Sequence, residues 1–172
     1  MNIATIKYYD IANGKGVRTS VFVSGCRHHC PNCFNEVAWD FNYGEEYTKD
    51  VENKIIESLA PDYIDGISIL GGEPFEVENQ KDLVILLQKI KNIYPKKTVW
   101  IYSGFTFEEI KNGSRASGLY ANELLSLCDV LVDGRFIEAQ KNISLKFRGS
   151  ENQRIIDVKK TLQSGNVELY MD

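Results

Sequence analysis

The sequence predicts a single α/β domain that forms an incomplete barrel of parallel strands. Short apolar runs that resemble buried strands alternate with helical patterns, which indicates parallel βαβ units with right-handed crossovers. The chain has 172 residues, of which 43% are apolar, so it can bury one sizeable core. A complete eightfold barrel usually takes about 250 residues. We therefore expect residues 1–172 to form one domain, a partial barrel with an open side.

Two strand-like runs open the chain, at Ile3–Tyr9 and Val17–Val23. The turn-rich segment Ala12–Gly16 separates them. The second run leads directly into a loop that contains three cysteines, Gly25–Asn35. This loop should therefore lie at the carboxyl end of a strand.

Helices and strands alternate through the middle of the chain. Thr48 is a plausible N-cap for a first helix that ends before Pro61, and Asn79 is predicted to cap a second helix that ends at Pro95. Two shorter helices begin at Thr106, where Glu109 completes a capping box, and at Ala121. The buried strands expected between these helices are Gly66–Leu70, Thr98–Tyr102 and Val130–Val132.

The tail of the chain is ambiguous. Gln153–Leu162 fits either a strand and turn or a capped helix, and Val167–Tyr170 fits a closing strand.

The amino-acid composition limits the kinds of molecule that this protein is expected to bind. The net charge is −4, acidic and basic residues are interspersed, and there is no lysine-arginine block, which argues against a nucleic-acid or membrane surface. No apolar stretch approaches the ~20 residues of a membrane span, and Met1–Ala4 lacks the layout of a signal peptide. We expect a cytosolic protein with reduced thiols, whose partner is a protein or a small molecule.

Three of the four cysteines, Cys26, Cys30 and Cys33, are spaced CxxxCxxC. Thiolates this close in sequence can converge on one metal centre. Structural zinc takes four protein ligands, and an ordinary [4Fe-4S] carrier takes four thiolates. A cluster with three cysteines leaves one iron open, which suits a centre that binds and reduces a small molecule.

Two other interpretations of these cysteines stay open. A zinc site could be completed by His28, His29 or Cys128. A disulfide is the weaker alternative, because pairing cysteines in so short a loop strains it and nothing indicates secretion.

Four polar or glycine-rich turns follow predicted strands, and in parallel α/β folds such turns gather on one face. In Gly71-Gly72-Glu73-Pro74, the glycines allow the backbone to approach a ligand closely and to hydrogen-bond an ammonium group, although a plain turn would look the same. Ser103 can reach a ligand from its strand end, or serve only the turn before Gly104.

Asp133 and Arg135 stand two positions apart after an apolar strand, where they could project to the same side. The pair would suit a zwitterionic ligand, because arginine forks onto a carboxylate and aspartate accepts from ammonium or hydroxyl groups. An ordinary surface ion pair is the alternative.

The cysteine motif, with Phe34 after its third cysteine, resembles the cluster motif of radical S-adenosylmethionine enzymes. The lead-in Gly14–Cys26 is similar to the signature of activases that install glycyl radicals, although Lys15 stands where many members carry proline. The resemblance is closest to activases that act on an anaerobic ribonucleoside-triphosphate reductase. It covers nearly the whole chain, through Gly71–Pro74, Tyr102–Thr106, Val132–Phe136 and Arg148–Arg154.

This resemblance implies a partial barrel of the radical S-adenosylmethionine type. It implies that Cys26, Cys30 and Cys33 hold a [4Fe-4S] cluster whose open iron chelates S-adenosylmethionine. The segment Gly71–Glu73 would hold the methionine amino group, and Phe34 could stack beside the adenine. Arg148–Arg154 would border the active site or the partner surface.

The activity that the resemblance implies is reductive cleavage of S-adenosylmethionine to a 5′-deoxyadenosyl radical, which generates a glycyl radical on the large subunit of the reductase. Flavodoxin or ferredoxin would supply the electron. Two rivals are an activase for another glycyl-radical enzyme, such as pyruvate formate-lyase, and a non-catalytic zinc or iron-sulfur binding module.

Overall fold

A computed structural model describes residues 1–172 and contains one mixed sheet of eight strands with five α-helices. The strands are β1 (Asn2–Asp10), β2 (Arg18–Val23), β3 (Glu45–Glu46), β4 (Gly66–Gly71), β5 (Thr98–Ser103), β6 (Val130–Asp133), β7 (Arg154–Asp157) and β8 (Leu169–Met171). The helices are α1 (Lys49–Ser58), α2 (Val77–Ile93), α3 (Phe107–Lys111), α4 (Ala121–Leu127) and α5 (Val158–Ser164), and short 3₁₀ helices lie at Glu36–Trp39 and Glu138–Gln140. None of the helices combines the length and apolar character that crossing a bilayer requires.

The centre of the sheet is parallel, in the order β2-β4-β5-β6, which confirms the predicted βαβ units. The expectation of a wholly parallel sheet is wrong at both edges. On one side β1 pairs antiparallel with β2 and with β3, and on the other side β7 pairs antiparallel with β6 and with β8. A parallel connection needs a long crossover, and the short turn between β1 and β2 is compatible only with a hairpin. The outermost strands, β3 and β8, do not pair with each other, so the sheet stays open.

Two apolar clusters cover opposite faces of the sheet. The larger has 27 buried residues and lies between the helices and one face. Along β5, Val99 and Ile101 belong to this cluster, whereas Trp100 belongs to a second cluster of four buried residues. Tyr102 packs against the smaller cluster and lines a cavity at the carboxyl ends of the parallel strands. The strand alternation therefore directs one set of β5 side chains to the core and the other toward the site.

The predicted caps are correct for two helices and wrong for one. The Thr48 side chain caps α1, and Thr106 with Glu109 forms the predicted capping box of α3. Helix α2 begins earlier than predicted, at Val77, and Asn79 does not cap it. Instead Asn79 is buried, and its Nδ2 donates to the carbonyl oxygens of Ser24 and Glu73, at 3.0 Å and 3.1 Å. This side chain therefore ties α2 to the segments that precede it.

The ambiguous tail contains both candidate elements in succession. Strand β7 runs straight into α5, whose first turn is capped by Asp157 through the N–H of Lys160 at 3.0 Å. Gly165 ends the helix in the left-handed conformation, with φ of 78°. Strand β8 then follows, as predicted for the end of the chain.

Candidate functional site

A cavity of about 140 Å³ opens at the carboxyl ends of the parallel strands. The loop after β2 and the turns after β4, β5 and β6 all contribute to its wall, so the structure brings together the four turns that follow the predicted strands. Its lining residues are Cys26, His28, Cys30, Cys33, Phe34, Trp39, Leu70, Gly71, Gly72, Glu73, Tyr102, Ser103, Gly104, Val132, Gly134, Phe136 and Gln153.

All three clustered cysteines line this cavity, and none of the four cysteines of the chain is in a disulfide. Cys26 is buried, and Cys30 and Cys33 are half-buried. Burial raises the pKa of the Cys26 thiol to about 12, and burial also raises the pKa of the Cys30 thiol. The N–H of Asn35 donates to Sγ of Cys33 at 3.4 Å. Three cysteines with soft sulfur donors therefore line one cavity.

The residues that would complete a zinc site have other partners. Nε2 of His28 lies 2.8 Å from Oε2 of Glu73, and the His29 ring stacks on Trp39 with ring centroids 4.3 Å apart. Cys128 is buried in the main core, where its Sγ donates to a backbone carbonyl at 3.1 Å. No three His, Cys, Asp or Glu side chains form a group that could hold one metal ion. In a cluster each thiolate binds its own iron, so the three thiolates need not meet at one point.

The glycine-rich turn after β4 packs too closely to carry side chains. Gly71 has φ of 111°, and a Cβ there would lie 2.6 Å from the backbone N and O of Val23. A Cβ on Gly72 would lie 2.6 Å from the carbonyl oxygen of Gly25 and 2.8 Å from that of Ala38. The bare backbone of this turn therefore forms one wall of the cavity, directly against the start of the cysteine loop.

Glu73 is fully buried and accepts four hydrogen bonds. Its Oε1 accepts from the N–H of Phe75 at 2.9 Å and from Oγ of Ser103 at 2.8 Å. Its Oε2 accepts from the N–H of Gly104 at 2.7 Å and lies 2.8 Å from Nε2 of His28. Ser103 therefore directs its hydroxyl at Glu73, and the carboxylate joins the turns after β4 and β5 to the cysteine loop.

The structure does not bring the side chains of Asp133 and Arg135 together. Asp133 is buried, accepts from the N–H of Phe107 at 2.7 Å, and is held by Arg154. Arg135 is largely exposed, and its Nη1 lies 3.2 Å from Oε1 of Glu109. Neither side chain lines the cavity, although Gly134 between them does. The geometry thus differs from the expectation that both residues project to one side.

The segment Arg148–Arg154, to which physical reasoning on the sequence assigned no role, holds the turn after β6. Nε2 of Gln153 donates to the carbonyl oxygen of Gly134 at 3.0 Å, and Nδ2 of Asn152 donates to that of Arg135 at 2.8 Å. Arg154 stands opposite Asp133 in the antiparallel pair of β6 and β7. This segment therefore supports the turn after β6, and its residue Gln153 also lines the cavity.

Three aromatic residues contribute to the wall in different ways. Phe34 lies at the rim and is 84% exposed, so it is free to cover a ligand. Trp39 and Tyr102, neither of which sequence reasoning placed in the site, also line the cavity. The Nε1 of Trp39 and the hydroxyl of Tyr102 are buried without hydrogen-bond partners. The sequence signals for Tyr102 were its place at the end of a predicted strand and its position in the segment Tyr102–Thr106.

Comparison with known proteins gives a consistent result. A family model described as a 4Fe-4S single cluster domain matches residues 12–156. A protein of Escherichia coli K12 is 39% identical over 151 residues, covering 86% of this chain and 94% of the relative. A protein of Vibrio cholerae is 39% identical over 153 residues (87% and 94%), and one of Enterobacteria phage T4 is 33% identical over 157 residues (90% and 93%). All three relatives are anaerobic ribonucleoside-triphosphate reductase-activating proteins.

Proposed function

The chain belongs to the family of anaerobic ribonucleoside-triphosphate reductase-activating proteins and carries a 4Fe-4S single cluster domain, and from this we propose its activity. It is a radical S-adenosylmethionine oxidoreductase that generates a glycyl radical on an anaerobic ribonucleoside-triphosphate reductase. Pyruvate formate-lyase is not favoured as the partner, because the relatives are activating proteins of the ribonucleotide enzyme.

One observation carries the proposal: three free cysteines of one short loop line the same cavity as the glycine-rich turn after β4. Cys26, Cys30 and Cys33 would hold the [4Fe-4S] cluster and leave one iron open to the ligand. Thiolate sulfurs are the usual ligands of iron-sulfur clusters. The chemistry that the bound cluster supplies is one-electron cleavage of the sulfonium bond, giving methionine and a 5′-deoxyadenosyl radical that takes a hydrogen atom from a glycine of the reductase.

The chain's own residues orient the ligand and exclude water. The backbone of the segment Gly71–Glu73 would hold the methionine amino group, because this segment lines the cavity and its two glycines have no side chains to cover the backbone. Phe34 would close over the adenine from the rim. Ser103, Asp133 and Arg135 would act by shaping the turns after β5 and β6, since their side chains bond to Glu73, Arg154 and Glu109.

The open sheet supports a protein substrate. We propose that it curves as a partial barrel of the radical S-adenosylmethionine type, whose unclosed side admits the glycine-bearing loop of the reductase. Flavodoxin or ferredoxin would donate the electron. Such a system requires reduced thiols and low-potential carriers, and therefore a cytosolic location.

The test is anaerobic reconstitution with iron and sulfide, followed by dithionite reduction and addition of S-adenosylmethionine. We expect 5′-deoxyadenosine from the reduced protein and, after the reductase is added, a glycyl radical signal in electron paramagnetic resonance. A protein that takes up zinc, resists cluster assembly and yields no 5′-deoxyadenosine would overturn the proposal in favour of a binding module.

A further inference from the structure

The contact between His28 and Glu73 joins the cysteine loop to the glycine-rich turn inside the protein. The two side chains are 3% and 1% exposed, and Nε2 lies 2.8 Å from Oε2. The ring of Phe105 packs edge-on against the His28 ring, with centroids 4.4 Å apart, and Nη2 of Arg115 lies 3.4 Å from Nδ1. A ring with its proton on Nε2 satisfies both polar contacts. His28 is therefore held on several sides, in the middle of the loop that carries Cys26 and Cys30.

The Glu73 carboxylate has no capacity left for a ligand. A carboxylate has about four acceptor sites, and all four are used by protein donors, two on each oxygen. The residue is also fully buried, although its neighbours Gly71 and Gly72 line the cavity. A bound ammonium group would have to displace one of these donors and leave it buried without a partner, which is unfavourable.

A second carboxylate of the same segment holds the neighbouring residue of the loop. Oε1 of Glu76 accepts from the N–H of Arg27 at 2.9 Å, and its Oε2 accepts from Nη1 of Arg27 at 2.7 Å. Glu76 is buried and is therefore a fixed anchor. Two acidic residues three positions apart thus hold the consecutive residues Arg27 and His28, midway between two candidate cluster ligands.

We propose that Glu73 is a positioning residue that acts through His28. Its side chain fixes the cysteine loop against the glycine-rich turn, and this side chain makes no contact with bound S-adenosylmethionine. The inference rests on the proposed function, because it concerns how the cysteine loop, which would hold the cluster, is placed relative to the glycine-rich turn, which would hold S-adenosylmethionine. His28 is accordingly the anchor of the loop.

The test compares His28→Leu, Glu73→Gln and the double variant in full-length protein after anaerobic cluster assembly. Calorimetry gives the dissociation constant for S-adenosylmethionine, and electron paramagnetic resonance of the reduced cluster reports the ligand-induced spectral change. We expect each single variant to weaken binding about tenfold and the double variant to weaken it no further, since residues that act as one unit are not additive. The spectral change should be altered in the same way in all three variants.

Three results would overturn the inference: weaker binding in Glu73→Gln alone, an additive loss of about a hundredfold in the double variant, or unchanged binding in all variants. His28→Gln supplies the conservative rescue, because its amide N–H can replace the donor on Nε2, and we expect binding within about threefold of the unmodified protein. This variant also keeps the test decisive if His28→Leu does not fold. His29→Leu is the matched control in the same loop, since His29 stacks on Trp39 and has no contact with Glu73.

Failure of the proposed function would be visible separately. In that case the unmodified protein itself would bind no S-adenosylmethionine and release no 5′-deoxyadenosine. If only the inference fails, the unmodified protein stays active and the pattern among the variants changes.

Discussion

Arg154 holds both carboxylate oxygens of Asp133, with Nε 3.0 Å from Oδ1 and Nη2 2.6 Å from Oδ2. Asp133 is 1% exposed, and the side chain of Arg154 is 33% exposed. The pair joins the end of β6 to the start of β7, next to Gly134 in the cavity wall. The Asp133 side chain, which sequence reasoning placed among the ligand contacts, therefore joins two strands beside the cavity wall.

Asp133→Ala should weaken S-adenosylmethionine binding with the cluster intact, because the turn that carries Gly134 loses its anchor. It should also lower the free energy of unfolding by about 2 kcal/mol, since the partner Arg154 is only partly buried. Arg154→Ala should have effects of the same kind. Calorimetry and denaturant unfolding measure both quantities. Weaker binding in Asp133→Ala with normal binding in Arg154→Ala would show instead that Asp133 touches the ligand.

Cys30→Ala should abolish cluster assembly and 5′-deoxyadenosine formation, because a cluster with two thiolate ligands is not retained. Iron and acid-labile sulfide content after reconstitution measures the loss. Cys128→Ala is the matched control, as this cysteine is buried in the main core away from the cavity. It should keep its iron and lose only about 1 kcal/mol of unfolding free energy. Full iron content in Cys30→Ala would remove Cys30 from the ligands.

Gly71→Ala should damage both the fold and the site. At φ of 111° its methyl group would lie 2.6 Å from the backbone of Val23, so the turn must move away from β2. We expect a loss of at least about 3 kcal/mol in unfolding free energy, combining backbone strain with displaced packing.

Gly113→Ala is the matched control for backbone strain alone. Gly113 also has a positive φ, of 75°, but a Cβ there meets nothing within 4 Å. The Gly113→Ala substitution should lower the free energy of unfolding by only about 1 kcal/mol. Equal losses in the two variants, measured by urea unfolding, would show that the close approach of Gly71 to Val23 contributes nothing.

Stability should depend on pH through Glu52. Burial raises the pKa of this carboxyl group, but hydrogen bonds from Lys49, Lys89 and Tyr47 outweigh burial and bring the pKa down to about 2. The oxygen–nitrogen distances to the two lysines are 2.8 Å and 2.6 Å. Because the folded pKa lies below the unfolded value of about 4.3, the stabilisation is fully present above that pH and is lost as the pH falls toward 2.

The measurement is the difference in unfolding free energy between the unmodified protein and Glu52→Gln across this window. Taking the difference removes the contribution of other carboxyl groups. The difference in unfolding free energy between the two proteins should decrease by up to about 3 kcal/mol as the pH falls from 5 to 2. A difference that stays constant with pH would contradict the assigned role of the two lysines.

Much of the fold follows from local patterns. The apolar runs of β2, β4, β5 and β6 and the periodicity of the helices predict the parallel centre of the sheet, because hydrophobic spacing is a property of neighbouring residues. The antiparallel pairing at the two edges of the sheet was not predicted, because the direction of an edge strand depends on the neighbouring strand with which it pairs. Asn79 was misassigned for a related reason: a residue suited to capping α2 is used for a buried contact with Ser24.

The sequence by itself determined the cysteine triad, the glycine-rich turn and the side of the sheet on which they gather. Spacing, residue type and position after a strand are all local, and they suffice to identify such a site. Only the tertiary structure decided the partners of the charged residues. Glu73 meets His28 across 45 positions and Asp133 meets Arg154 across 21. Which donor reaches a buried carboxylate depends on strand register and loop packing, which bring together groups that no local pattern connects.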